Sequence, residues 1–292
     1  MAKNWRCVAV EARSDIVEEL ASEVATQFQR GIELTDTGFR VYLEEGIPDD
    51  IWRPLLQSAI RAAQDRSTKP FPPPIITVSL VPEEDWAATW KVHFKPLRVG
   101  KRLLVCPTWE EPKPTATDIV LRIDPGRAFG TGHHETTRLC LEWLEDFREH
   151  GSTHASPTLL DVGTGSGILA MAGVLLGFES AIGIDNDPEA VDVATENLQT
   201  NGLERNVRLV VGGLKDISEP SDVVIANIQA DPLVSLADDL IRHVRSGGRL
   251  VLSGILVNQK DSVRRVFESK GMTLLELRID GEWCLLAFSN QP

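Results

Sequence analysis

The sequence predicts an α/β protein in which a small α+β domain precedes a larger, doubly wound and mostly parallel β-sheet. Two observations lead to this fold class. From residue 159 onward, short apolar strands alternate with helical segments, as in a parallel sheet. The chain then ends in two strand patterns, residues 273–279 and 282–288, joined by the turn Asp280-Gly281. This ending predicts an antiparallel hairpin that adds one reversed strand at the edge of the sheet.

Residues 1–82 are predicted to form the small domain. Their elements follow in the order strand, helix, two hairpin strands, helix and strand, which is the order of a ferredoxin-like sandwich. The strands are expected at residues 5–10, 32–34, 38–43 and 75–81, and the helices at residues 14–28 and 48–64. No catalytic grouping occurs in this stretch, so we interpret it as a docking or structural domain.

Residues 83–118 are predicted to form a connector rich in tryptophan and proline. Trp86, Trp90 and Phe94 recur at every fourth position, which places them on one face of a helix. We interpret this face as a packing surface between the domains, with contact to a substrate as the alternative.

Residues 119–292 are predicted to form the larger domain around one glycine-rich turn. The stretch 159–167 runs from apolar strand residues into three glycines at alternate positions, Gly163, Gly165 and Gly167. Such glycines let a ligand approach the backbone closely, and the first amides of the helix that follows favour a polar or anionic group. The turn therefore predicts a nucleotide-type site. The remaining strands are expected at 181–185, 207–211, 222–227 and 249–253, and the remaining helices at 188–200, 232–244 and 258–270.

Two cofactors fit this turn. Asp185 ends the next strand, 22 residues after Gly163, where an acid accepts the hydroxyls of a bound ribose. Gly165, Gly167 and Ala170 fit the fingerprint of an NAD enzyme. With Asp161 in front, the same residues fit the loop that binds S-adenosylmethionine (AdoMet). The terminal hairpin favours AdoMet, because a reversed last strand is not the usual ending of a dehydrogenase and no hydride-transfer residue is evident.

A second ligand-binding loop is predicted at residues 124–137, ahead of an amphipathic helix at 138–147. It is glycine-rich, and it is too long and too polar for a simple turn. His133 and His134 lie in it, but adjacent histidines diverge on a helix and no third ligand follows at metal spacing. No metal site is predicted.

Asn227 ends a predicted strand and begins the segment that reaches Pro232. A carboxamide at the carboxyl end of a strand can orient an amine through its carbonyl oxygen. A purely structural role in capping the strand is the alternative.

Charge and composition narrow the class of partner. The net charge is −13, and residues 121–292 carry 25 acidic against 15 basic side chains. Nucleic-acid surfaces are usually basic, so a nucleic-acid partner is disfavoured and a basic protein is favoured. Four widely spaced cysteines, no apolar signal region and no run long enough to span a membrane predict a cytoplasmic protein with no membrane partner.

These motifs together resemble the ribosomal protein L-eleven methyltransferases, the PrmA family, over essentially the whole chain. The resemblance rests on the connector from Trp86 to Gly100, the loop 124–137, the glycine turn with Ala170, and the segments 227–232 and 253–256. It implies a class I methyltransferase domain with a Rossmann-like, mostly parallel sheet and an antiparallel last strand, preceded by a docking domain.

The resemblance also implies a reaction: AdoMet-dependent methylation of lysine side chains and of the N-terminal amine on a stalk-base protein of the large ribosomal subunit. By motif position, it makes Thr137, Gly163, Asp185 and Asn227 the cofactor-binding residues. Our hypothesis that the Asn227 carbonyl aligns the amine makes Asn227 also catalytic.

Two further site residues and several alternative functions complete this interpretation. Gly165 belongs to the same turn as Gly163, and Phe129 is expected to border the sulfonium. A monomer is expected. The family often has Leu and Gly where this chain has Gln229 and Asp231, which keeps lysines of another protein as an alternative. A nucleic-acid N-methyltransferase and an NAD-dependent oxidoreductase are more distant alternatives.

Overall fold

The chain folds into two units, Met1–His93 and Phe94–Pro292. The structure is a computed structural model. It describes residues 4–13, 16–28, 32–35, 37–44, 46–66, 72–82, 94–124, 132, 134–151 and 155–290. The helix face predicted around Trp86 and Trp90 lies outside these residues, so it stays a prediction, as do the boundaries of the connector.

The described residues of the first unit form an antiparallel sheet with helices on one face. In chain order the elements are β1 (Asn4–Glu11), α1 (Val17–Phe28), β2 (Ile32–Thr35), β3 (Gly38–Glu44), α2 (Asp49–Arg66) and β4 (Ile75–Pro82). The strands lie in the order β2-β3-β1-β4, with β1 antiparallel to both of its neighbours. Leu20, Phe39 and Trp52 are buried in the core of this unit. The predicted ferredoxin-like arrangement is confirmed.

The second unit contains the predicted alternation of strands and helices. Its described elements are β5 (Leu97–Val99), β6 (Leu103–Pro107), β7 (Ile119–Ile123), α3 (Glu135–Asp146), β8 (Thr158–Val162), α4 (Ile168–Leu175), β9 (Ser180–Asp185), α5 (Pro188–Asn201), β10 (Val207–Val211), β11 (Ser221–Asn227), α6 (Ala230–Ser235), α7 (Ala237–Arg242), β12 (Val244–Leu256), α8 (Lys260–Ser269), β13 (Thr273–Asp280) and β14 (Trp283–Ser289).

Seven of these strands form one sheet in the order β10-β9-β8-β11-β12-β14-β13. Strand β14 is antiparallel to both β12 and β13, so the last strand is reversed, as predicted. Its predicted position at the edge is wrong, because β13 takes the edge. The burial of the two strands gives the reason. Residues of β14 are almost all buried, whereas residues of β13 alternate between exposed and half-buried, so the more apolar strand lies inside the sheet.

Apolar side chains cover both faces of this sheet, which explains the nearly continuous apolar strands. On β8, Leu159 packs into the cluster formed with α3 and α4, whereas Leu160 packs into the cluster formed with α6, α7 and α8. A helix predicted at residues 232–244 is instead two short helices, α6 and α7. They meet at Leu236, whose φ of −94° and ψ of 7° interrupt the helical geometry.

A smaller sheet of β5, β6 and β7 is tied to α3 by one buried carboxylate. Glu145 is 1% exposed, and it accepts hydrogen bonds from the amides of Lys101 at 2.7 Å and Arg102 at 2.9 Å. Gly100, in the turn before them, has a φ of 62°, and a Cβ there would lie 2.2 Å from Glu145 Oε2. The turn therefore requires glycine for both its conformation and its fit.

Replacing Glu145 with Ala is expected to lower the free energy of unfolding by about 2–3 kcal/mol, because two backbone amides lose a charged acceptor. Urea unfolding followed by tryptophan fluorescence measures this. Glu142→Ala, one turn earlier on α3, removes a carboxylate with no recorded hydrogen bond in the described part of the chain, and it is the control. Equal urea midpoints for the two variants would contradict this role of Glu145.

Candidate active site

The carboxyl ends of β9, β8 and β11 bring three predicted site residues into one row. Val162 of β8 pairs with Ile184 of β9 and with Ala226 of β11. The residue after each of these is, in order across the sheet, Asp185, Gly163 and Asn227. Since neighbouring strands lie about 4.8 Å apart, the outer two residues stand about 10 Å apart with the glycine turn between them.

The glycine turn requires glycine at each of its three alternate positions. Gly163, Gly165 and Gly167 have φ values of 72°, 54° and 79°, a region that disfavours other residues. A Cβ on Gly163 would lie 2.5 Å from the Cγ2 of Ile228, and one on Gly167 would lie 3.1 Å from the Cβ of Ala194. Neighbouring side chains therefore occupy the space that a Cβ at Gly163 or Gly167 would need, so only glycine fits at these positions.

The Asp185 carboxylate is positioned by the glycine turn and still has acceptor capacity. Its Oδ2 accepts the Gly165 amide at 2.9 Å, and its Oδ1 accepts the Asp187 amide at 3.1 Å. An ionised carboxylate has about four acceptor positions, so two remain for hydroxyl donors. Asp187 also caps α5 by accepting the Glu189 amide at 2.9 Å.

Asp161 is fully buried beneath the turn, with one oxygen satisfied and one not. Its Oδ2 accepts from the Thr164 hydroxyl at 2.6 Å and from the Ala170 amide at 3.2 Å. Its Oδ1 has no hydrogen-bond partner among the residues that the structure describes. Burial raises the pKa of Asp161 to about 7, although the two hydrogen bonds act to lower it. From the sequence, this acid in front of the turn was counted as part of the AdoMet-binding pattern but was given no separate role.

A contact between Asn227 and Thr137 joins the end of β11 to the first turn of α3. The Asn227 Nδ2 donates to the Thr137 hydroxyl at 3.3 Å, and Thr137 itself is fully buried. The Asn227 Oδ1 is buried and, within the described residues, has no hydrogen-bond partner. Ser253 of β12 pairs with Asn227, and its hydroxyl donates to the Thr136 carbonyl at 3.2 Å.

The terminal hairpin holds the first turn of α3. The ring of His134, which caps this helix, packs edge-on against Trp283, with ring centroids 5.0 Å apart and planes at 65°. Arg138 forms an ion pair with Asp280 at 2.5 Å. Thr137 lies between these two contacts in the chain, so the hairpin fixes the residue that pairs with Asn227. These two contacts between the hairpin and α3 were not predicted from the sequence, although Asp280 and Trp283 flank the tight turn at the carboxyl edge of the sheet.

The predicted second loop is only partly described. Phe129 and His133 lie outside the described residues, so their roles stay predictions. Gly132, within the loop, lies against the glycine-turn helix, because a Cβ there would be 3.3 Å from the Cδ1 of Ile168. His134 acts as the helix cap, and its Nδ1 accepts the Thr136 amide at 3.3 Å.

One cluster with metal-binding atoms lies at the opposite end of α3. Asp146, Glu149 and His150 bring three such atoms within 4.8 Å of one another. The Lys101 Nζ lies 2.6 Å from Glu149 and 3.7 Å from Asp146. The lysine already balances much of the negative charge, so we interpret the cluster as an ion-pair network.

Replacing Asp161 with Asn is expected to change how stability depends on pH. The folded pKa of about 7 exceeds the ordinary value of 3.8, so between these values the folded state binds more protons than the unfolded state. The wild-type chain should therefore lose stability relative to Asp161→Asn as the pH rises from 4 to 7, and the difference should level off above that.

Thermal unfolding midpoints from pH 4.5 to pH 8 measure this difference. Asp192→Asn, at an exposed position on α5, controls for the loss of one negative charge. Curves for the wild type and Asp161→Asn that run parallel over the whole range would contradict the assignment.

None of the described helices combines the length and the apolar character that crossing a membrane requires.

Comparison with known proteins shows which family this chain resembles. The family model described as "Ribosomal protein L11 methyltransferase (PrmA)" matches residues 43–291. A ribosomal protein L11 methyltransferase of Pelobacter propionicus is 49% identical over 228 residues, which cover 78% of this chain and 73% of the relative. One from Geobacter metallireducens is 41% identical over 310 residues, with 100% of both chains covered.

A solved structure agrees with these sequence relatives. The ribosomal protein L11 methylase from Lactobacillus delbrueckii subsp. bulgaricus superposes with a TM-score of 0.61 at 29% identity, covering 68% of this chain and 99% of that chain. The family model spans well over half of the chain, and the mostly parallel sheet with its reversed last strand is the one that the sequence resemblance implied. The chain belongs to the ribosomal protein L11 methyltransferase (PrmA) family.

Proposed function

We propose that the protein transfers methyl groups from AdoMet to lysine side-chain amines and to the N-terminal amine of ribosomal protein L11. The observation that carries this proposal is the Asn227 Oδ1, a buried acceptor with no hydrogen-bond partner among the described residues. Such an atom is costly unless a ligand satisfies it. The Asn227 Oδ1 lies in the same row as the glycine turn. An amine that donates a hydrogen bond to this oxygen would there meet a bound nucleotide. Family membership supports methyl transfer over the NAD-dependent alternative.

The residues of the row fit AdoMet. A Cβ at Gly163 would lie 2.5 Å from the Cγ2 of Ile228, so only glycine fits at this position of the turn. Asp185 has free acceptor positions for the ribose hydroxyls, and its orientation is set by the Gly165 amide. Thr137 and Asn227 close the other end of the row. These three contacts support AdoMet as the methyl donor and support Asp185, Gly163, Gly165, Thr137 and Asn227 as its binding residues.

The chain then has to position a nucleophile, because bound AdoMet supplies a methyl group that the sulfonium already activates. Asn227 accepts one hydrogen of the amine at Oδ1, which directs the nitrogen lone pair. Holding two reactants in such an orientation is worth roughly 7–11 kcal/mol in favourable intramolecular models. Thr137 keeps the carboxamide in place, because the Asn227 Nδ2 is engaged with its hydroxyl.

A neutral hydrogen-bond acceptor at position 227 suits this reaction better than a charged one. A lysine amine has an ordinary pKa of about 10.4, and only its neutral form has a lone pair to donate. A carboxylate in place of Asn227 would favour the ammonium form, whereas a carboxamide does not, and desolvation in the site lowers the pKa of the amine further. The position at the end of β11 therefore selects an asparagine on electrostatic grounds.

The protein substrate is supported by the relatives' names and by charge. The relatives are named for ribosomal protein L11, and the larger domain holds most of the negative charge of the chain, which suits a basic protein. We assign the docking of this protein to the small domain. Asp231 and Gln229 follow Asn227 and are exposed, so both side chains are available to contact the substrate near the amine.

The function is tested with labelled AdoMet, purified ribosomal protein L11, and a mixture of ribosomal proteins. The expected result is label on L11 alone, located by peptide mapping to lysines and to the N-terminal residue. Label on a different protein of the mixture would support the alternative that the departures at Gln229 and Asp231 raise. Label on RNA, or no transfer to any component, would overturn the proposal.

Two substitutions at Asn227 separate its roles. Asn227→Ala should lower kcat by about 100-fold, because the amine loses its orienting acceptor. Asn227→Asp retains an acceptor but stabilises the ammonium form, so its rate should fall at neutral pH and recover as the pH rises towards 10. Rates at saturating AdoMet between pH 7 and pH 10 measure both effects. A rate for Asn227→Ala near that of the wild type would remove this residue from the active centre.

A further inference from the structure

Asn197 is a polar side chain in a position that a helix normally fills with an apolar residue. It lies on α5 and is 1% exposed. Its Nδ2 donates to the Ser166 carbonyl at 3.0 Å, and its Oδ1 accepts the Asp124 amide at 3.0 Å. One side chain thus joins the glycine turn, which contains Ser166, to the first residue of the segment 124–137.

The packing around Asn197 shows why this bridge is rigid. Helix α5 lies directly against the glycine turn, because a Cβ on Gly167 would be 3.1 Å from the Cβ of Ala194. A buried carboxamide with both of its groups satisfied fixes two chain segments at one separation. An apolar residue of similar size would fill the space but would bond neither the Ser166 carbonyl nor the Asp124 amide.

Asn201, one turn later on the same helix, provides an internal comparison. Its Nδ2 donates to the Arg122 carbonyl at 2.7 Å, and its Oδ1 accepts the Arg122 amide at 2.9 Å. Asn201 therefore anchors Arg122, near the end of β7, to α5. Asn197 anchors Asp124, two residues later in the chain, to the same helix. Among the described residues Asn201 forms no hydrogen bond with the glycine turn itself, and its contact on that side is from Nδ2 to the Sδ of Met171 on α4 at 3.7 Å. Asn201 therefore holds the strand without bonding the turn.

We propose that Asn197 is a positioning residue for the methyl donor. It sets the separation between the glycine turn and Asp124, the residue directly after β7, and the affinity for AdoMet depends on that separation. The identity of the donor rests on the proposed function. Within the described part of the chain, Asn197 forms no hydrogen bond with Asn227 or Thr137, so it acts on donor binding and leaves the orientation of the amine unchanged.

Three variants test this role. Asn197→Ala removes both hydrogen bonds. Asn197→Asp keeps the acceptor for the Asp124 amide but places a carboxylate oxygen against the Ser166 carbonyl, so it breaks only the bridge to the turn. Asn201→Ala removes the anchor of β7 alone. The measurements are the Kd of S-adenosylhomocysteine by calorimetry, KM for AdoMet and kcat with L11, and the thermal unfolding midpoint of each full-length chain.

Asn197→Ala and Asn197→Asp should each raise the Kd and the KM by about tenfold or more, with kcat at saturating AdoMet changed less than about threefold. Asn201→Ala should lower the unfolding midpoint about as much as Asn197→Ala does. It should leave the Kd of S-adenosylhomocysteine within about twofold of the wild-type value. A lowered midpoint with an unchanged Kd in both Asn197 variants would overturn the proposal, as would an equal rise in Kd for Asn201→Ala. A wild-type chain that binds no S-adenosylhomocysteine would overturn the proposed donor itself, and this role with it.

Discussion

The parallel pairing of β8 with β9 and β11 is the constraint on which the rest of the site depends. Backbone hydrogen bonds in this register bring the three strand ends to one level, and the residues that follow are Asp185, Gly163 and Asn227. A shift of one residue in either pairing would turn the side chain to the other face of the sheet. The sheet thus determines the spacing of the acid and the carboxamide before any ligand binds, and the burial of both of its faces keeps that register.

The surrounding elements position the remaining groups around this row. The terminal hairpin holds the start of α3 through Trp283 and Asp280, which keeps Thr137 beside Asn227. Helix α5 bridges the glycine turn to the segment after β7 through Asn197. Both contacts come from parts of the chain far from the glycine turn in sequence. The protein groups of the proposed site are therefore held in place by the fold itself.

Much of this arrangement follows from the sequence because it depends on local rules. Three glycines between a strand and a helix require an unusual backbone, and acids or amides at strand ends must meet at one edge of a parallel sheet. The position of β14 could not be predicted from the hairpin turn alone, because either strand of a hairpin can take the edge; the difference in apolar content decided it. Contacts such as those of Asn197 and Trp283 depend on which side chains meet in three dimensions, and no spacing pattern in the sequence encodes them.

The most direct test of the account is a calorimetric titration with S-adenosylhomocysteine and with NAD. We expect S-adenosylhomocysteine to bind the wild-type chain at one site, NAD to show no binding, and Asp185→Asn to weaken S-adenosylhomocysteine by at least about tenfold, because an amide accepts the ribose hydroxyls less strongly than a carboxylate does. Binding of NAD, or an affinity for S-adenosylhomocysteine that Asp185→Asn leaves unchanged, would contradict the assignment of the row as the methyl-donor site.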